Sequence, residues 1–127
     1  MNLEEARYAD VVVLKLSGRI DQETSPALQT RLTDVIAGLA PDTTGVVIDF
    51  GGVPYISSAG LRVLMIGAKQ SKTLGKKLAI ASLRPVVREV FQISRFDKVI
   101  GTYAELHEAI GGMSAQAQSA FNAKYSV

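Results

Sequence analysis

The chain has 127 residues, of which 47% are hydrophobic and 20% charged, with 14 basic against 12 acidic side chains and no cysteine. That length suits one domain, and the apolar content is enough to offset the ordering entropy that leaves apolar-poor chains disordered. The lack of cysteine excludes disulfide scaffolds, cysteine-based metal sites and cysteine nucleophiles. A net charge of only +2 argues against nucleic acid as a partner, which needs a concentrated basic face. The opening Met1-Asn2-Leu3-Glu4-Glu5 carries acids where a secretion signal needs bases, and no apolar run approaches the roughly 20 residues that span a bilayer. A cytoplasmic domain without membrane insertion is therefore expected.

Residues 11–16 (VVVLKL) are β-branched and almost continuously apolar, which predicts a strand covered on both faces. Ser25-Pro26 has the pattern of an N-cap followed by proline at the first helical position. Leu28, Leu32, Val35, Ile36 and Leu39 then recur at helical spacing, and Pro41 closes the segment. Residues 45–50 (GVVIDF) read as a second buried strand, ended by Gly51-Gly52. After an extended link over residues 53–56, Ser57-Ser58 can cap a helix over residues 59–74, with Gly75 placed to terminate it. Residues 77–82 read as a strand. Residues 83–94 read as a helix with Val86, Val87, Val90, Phe91 and Ile93 on its inner side and Pro85 in its first turn. Residues 98–101 give a last short strand, and Thr102 with Glu105 forms a capping box for a helix to Ile110. Residues 113–127, with one charge and a weak apolar pattern, form either a loose extra helix or a frayed tail beside a single domain over 1–112. Strands and helices in alternation predict an α/β sheet with crossover helices, with four strands, or five if residues 3–8 add one more.

Little in the chain suits catalysis. His107, the only histidine, falls on the last predicted helix as a solvated residue with no nucleophile or carboxylate arranged towards it. One histidine and no cysteine give no metal spacing. Asp21 and Asp49 follow strands, where a carboxylate serves as a ligand or base or simply caps the next turn. Gly51-Gly52 lacks the glycine and lysine spacing of a phosphate cradle. No enzyme activity, cofactor or metal is expected.

Ser57 and Ser58 are the most informative pair. At a helix N-terminus their hydroxyls are either caps or phosphoacceptors, because free N–H groups and the positive end of the helix dipole stabilise a phosphate there. Along the same helix Leu61, Val63, Leu64, Gly67, Ala68, Ser71 and Leu74 share an arc suited to the sheet, with the small residues allowing close approach. Arg62, Met65, Ile66 and Lys69 lie opposite at i, i+3, i+4 and i+7, the pattern of a contact surface or, for Met65 and Ile66, of a half-buried helix edge that adds to the core. Residues 57–77 hold five basic side chains and no acid, the composition either of a solvated helix and turn or of a surface for an acidic partner or a phosphate.

The segment IDFGGVPYISSAGLRVL, residues 48–64, closely resembles the signature of STAS domains, specifically the anti-sigma factor antagonist family. The likeness extends from Val11 to Ile110 and includes Leu16-Ser17-Gly18-Arg19-Ile20-Asp21 and Leu83-Arg84-Pro85-Val86-Val87-Arg88-Glu89-Val90-Phe91. It implies a four- or five-stranded mixed sheet with about four helices mainly on one face. It also implies a partner, an anti-sigma factor that is itself a serine kinase. That kinase phosphorylates a serine matching Ser58, and a PP2C-type phosphatase reverses the change. The partner surface implied comprises Asp21, Ser57, Ser58, Gly60, Leu61, Arg62, Met65, Ile66 and Lys69. Many members carry aspartate where this chain has Ser57, which makes Ser57 a secondary acceptor candidate. Relatives that are not phosphorylated serve in lipid transporters and sensory complexes, the alternative that the resemblance leaves open.

Overall fold

A computed structural model describes residues 1–125. In chain order it contains β1 (Asn2–Tyr8), β2 (Val11–Ser17), α1 (Ser25–Ala37), β3 (Gly45–Gly52), α2 (Ser58–Thr73), β4 (Lys77–Ala81), α3 (Pro85–Ile93), a 3₁₀ turn (Phe96–Lys98), β5 (Gly101–Tyr103), α4 (Leu106–Met113) and α5 (Ala115–Tyr125). The sheet order is β1-β2-β3-β4-β5. β1 and β2 form an antiparallel hairpin from Asn2↔Ser17 to Tyr8↔Val11, and every later pairing is parallel.

This order explains where the helices sit. Each parallel connection leads to the adjacent strand, and connections of one hand moving in one direction put their helices on one face. Leu28, Leu32 and Ile36 of α1, Val63 and Leu64 of α2, and Val87 and Phe91 of α3 accordingly share one core with Val12, Leu14, Leu16, Val46, Ile48, Phe50 and Ile80 of the sheet. Helices α4 and α5 follow the last strand, so no crossover constrains them. They cover the opposite face, where Ala109, Ile110 and Ala117 pack on Tyr8, Val11, Val13 and Val47. The second face also explains why β2 and β3 read as unbroken apolar runs. No helix among the described residues is long and apolar enough to cross a membrane.

Several local expectations shift. Helix α1 begins at Ser25, so its N-cap is Thr24, and Ser25 instead donates its hydroxyl to the Asp21 carbonyl at 2.5 Å. Val86 and Ile93 do not face inward: they are 58% and 83% exposed, and only Val87 and Phe91 of α3 are fully buried. Residues 98–100 are not a strand. Arg95 adopts a left-handed conformation (φ 58°), the chain coils through the 3₁₀ turn, and pairing with β4 starts only at Gly101. The capping box lies three residues later than expected, between Glu105 and Glu108, because Thr102 and Tyr103 belong to β5. Most of the 113–127 segment is α5, with Ala117 fully buried; residues 126 and 127 lie outside the described residues.

Candidate functional site

The site is assembled where β2 and β3 end. The two departing chains run side by side: the Gly18 N–H donates to the Gly52 carbonyl at 2.9 Å, Ile20 N–H to Tyr55 at 2.9 Å, and Ser57 N–H to Ile20 at 2.8 Å. This brings Ile20 and Ile56 together as a buried apolar pair. The first turn of α2 rests on them. A Cβ at Gly60 would stand 2.6 Å from Ile20 Cγ2 and 2.7 Å from Ile56 Cγ1, so only glycine permits this approach. Gly60 is therefore buried and turned into the core, which corrects its expected place on the partner surface. Further along, Gly67 lets Leu32 of α1 come equally close, so this position of the small-residue arc meets a neighbouring helix and not the sheet it was expected to face.

The two serines differ. Ser57 is the N-cap in extended backbone (φ −89°, ψ 171°), and its Oγ accepts from the Gly60 N–H at 3.2 Å. Ser58 is the first helical residue and is exposed, and among the described residues its hydroxyl has no hydrogen-bond partner. The N–H groups of Ser58 and Ala59 are likewise free, the unsatisfied donors expected in a first turn. No acid occupies that turn to compete with an anion. Ser57, Ser58, Ala59, Gln22 and Arg62 line an open depression, with Arg62 exposed one turn beyond Ser58.

Asp21 is spent locally. Its Oδ1 accepts from the N–H groups of Glu23 and Thr24 at 3.0 Å each, and the Thr24 backbone bond, foremost, holds its carboxyl below the usual carboxylate value. Asp49 likewise accepts from the Gly51 N–H at 2.9 Å, as a turn cap. On α2, Arg62 and Lys69 are exposed and Ile66 is half-buried outside the core cluster. Leu61 and Met65 lean on that cluster, and Leu74, expected to face the sheet, is 49% exposed. The sequence reading missed two features of this end: Gln22 in the depression, and the Arg19 guanidinium 4.3 Å above the Tyr55 ring. Both arise from the pairing of two loops distant in sequence, for which no local signal exists. The His107 ring meets Glu105 at 2.7 Å on the surface, and its backbone carbonyl accepts from Gln118 Nε2 at 3.2 Å.

A family model described as STAS domain matches residues 2–109. The anti-sigma-F factor antagonist RsfB of Mycobacterium tuberculosis is 30% identical over 110 residues, 85% of each chain. BtrV of Bordetella bronchiseptica, provisionally named an anti-sigma factor antagonist, is 35% identical over 96 residues, 76% of this chain and 80% of its own. The same fold is found in the Bacillus protein SpoIIAA, solved in two forms. The unphosphorylated form has a TM-score of 0.71 at 20% identity, covering 87% of this chain and 95% of that one. The phosphorylated form has a TM-score of 0.65 at 18% identity, covering 89% and 100%.

Proposed function

The chain belongs to the STAS domain family, and from that premise we propose that it is an anti-sigma factor antagonist switched by phosphorylation of Ser58. Unphosphorylated, it binds an anti-sigma factor that is also a serine kinase, and the sigma factor is released. The kinase then phosphorylates Ser58 and ends the binding, and a PP2C-type phosphatase restores it. The name of RsfB and the existence of SpoIIAA in a phosphorylated form support this cycle.

The observation that carries the reading is the division of labour between adjacent serines. Ser57 is committed to the Gly60 N–H, whereas the Ser58 hydroxyl stands free at a helix N-terminus over an open depression. A phosphate there adds roughly −1.5 to −2 charges beside two free N–H groups and the dipole's positive end. Arg62, on the next turn, can pair with it, which withdraws Arg62 from a partner. Acids on the partner would meet the phosphate with repulsion. Either route weakens docking by about 2–5 kcal/mol, roughly 30- to 5,000-fold in affinity. Arg62, Ile66 and Lys69 supply the outward contacts, Leu61 and Met65 their exposed edges, and Asp21 and Ser57 the rim.

The test is intact mass spectrometry after incubation with the serine-kinase anti-sigma factor of the same organism and ATP. The chain should gain one phosphate and Ser58→Ala none. Full phosphorylation of Ser58→Ala at another serine would show the acceptor to be wrong.

A further inference from the structure

The face of the sheet under α4 and α5 is not uniformly apolar, and strand register shows where it changes. Ala6 of β1 and Val13 of β2 stand side by side, and Glu4, Lys15 and Asp49 form the next row across β1, β2 and β3. Residues two apart on a strand share a face, so this charged row borders the apolar one at about 6.8 Å. Leu106 of α4 and Phe121 of α5 meet both rows across a cavity of about 330 Å³, which Glu5, Tyr8 and Tyr125 also line. That volume is within the range of small-molecule sites.

The cavity's own side chains select the charge of its ligand. The carboxylates of Glu4, Glu5 and Asp49 line it against the single ammonium of Lys15, which leaves the lining net negative. Lys15 stands between Glu4 and Asp49 in the row, yet among the described residues it makes no ion pair with either. Asp49 gives one oxygen to the Gly51 N–H at 2.9 Å, and its other oxygen is uncommitted among the described residues. The aromatic end already has a cation. Lys124 Nζ lies 5.8 Å from the centroid of the Tyr8 ring and 5.6 Å from that of Tyr125, within cation–π range. A cation entering the cavity is therefore drawn to the carboxylate row, and an anion is repelled from it.

We propose that this cavity binds a small organic cation, a primary amine joined by a short methylene chain to an aromatic or branched aliphatic body. The body lies between Ala6 and Val13 on the sheet and Leu106 and Phe121 on the helices. The ammonium meets Glu4 and Asp49 one row away, and the spacing of the rows sets the length of the chain that joins them. The cavity is on the face of the sheet opposite α1, α2 and α3, so the site is independent of Ser58 and of the function proposed above.

The experiment is an NMR titration of the isotope-labelled full chain with three probes of one shape: phenylpropylamine, phenylpropanol and phenylpropionate. The amine should give saturable shifts at the amides of Ala6, Val13, Leu106 and Phe121, and its affinity should fall as salt rises. It should bind at least about threefold more tightly than the alcohol, and the carboxylate most weakly. The double variant Glu4→Gln with Asp49→Asn keeps an acceptor for the Gly51 N–H and should erase the difference between amine and alcohol. Ala6→Leu, which fills the cavity, should abolish the shifts, with its melting curve reporting that it folds. Equal affinity of wild type for amine and alcohol, tighter binding of the carboxylate, or no saturable shift with the amine would each overturn the proposal. So would a preference for the amine that survives in the double variant.

Discussion

The Ser57 hydroxyl accepts a backbone hydrogen bond that a first helical turn otherwise leaves unmade, and among the described residues the Ser58 hydroxyl has no partner. Replacing an N-cap serine by alanine costs about 0.5–2 kcal/mol, whereas an exposed surface substitution stays within about 0.5 kcal/mol. Urea denaturation should therefore show Ser57→Ala destabilised and Ser58→Ala close to wild type; the reverse order would exchange the two roles. Gly60 makes a second residue-scale test. A methyl group there meets Ile20 and Ile56 at under 3 Å, and overpacking of this kind typically costs about 1–3 kcal/mol. Gly60→Ala should lower the urea midpoint, and the loss should appear without any partner present. An unchanged midpoint would return Gly60 to the contact surface. Local sequence rules identify a serine pair ahead of a helix, but which serine caps depends on where the Ile20–Ile56 pair seats the first turn, a contact across 36 residues.

At the scale of elements, strands and long helices were legible because β-branched runs and 3.6-residue periodicity report burial directly. Helix α3 shows where that logic stops. Periodicity detects apolar side chains, not what covers them, so Val86 and Ile93 read as core although solvent reaches them. Residues 98–100 read as a strand for a similar reason. Val99 and Ile100 have strand propensity, but the left-handed Arg95 commits the chain to a 3₁₀ turn first. Helix α5 left almost no periodic signal, and it is held by specific contacts instead. Asp10, in the β1–β2 turn, accepts from Ser114 Oγ at 2.6 Å and Thr44 Oγ1 at 2.5 Å, and Ser114 in turn accepts from the Ala117 N–H at 3.1 Å. Phe121 then meets Tyr8 edge-on at 5.1 Å. The Ser114 hydroxyl, then that of Thr44, holds the Asp10 carboxyl below its ordinary value of 3.8. Because the folded state favours the ionised form, this stabilisation is complete above the ordinary value and is lost as pH falls through the lower, folded one. Asp10→Asn should be less stable than wild type at pH 7, with the gap narrowing below about pH 4. A gap of constant size across that range would remove the ionised carboxylate from the account.

For the whole molecule, strand order decides the division of labour. A sheet built strand by strand in one direction places α1, α2 and α3 on one face, leaves the other to α4 and α5, and gathers the β2–α1 and β3–α2 loops at one end. Ser58, the proposed acceptor, therefore stands at the end of the sheet where the chains leaving β2 and β3 run side by side. Both core clusters must survive for that arrangement to hold. Phe91, packed against Phe50 at 5.9 Å and Phe96 at 5.4 Å, is the side chain that ties α3 to the sheet. Phe91→Ala should cost about 3–5 kcal/mol of stability in thermal or urea unfolding; a loss under 1 kcal/mol would mean that α3 is held by other contacts. The central claim is that one phosphate on Ser58 ends partner binding. It is tested most directly by calorimetric titration of the serine-kinase anti-sigma factor against three forms of the chain. Ser58→Ala should bind like the unphosphorylated wild type, Ser58→Asp more weakly, and the phosphorylated chain weakest, by roughly 30-fold or more. Equal affinity for all three would reduce Ser58 to an ordinary surface residue and contradict the switch.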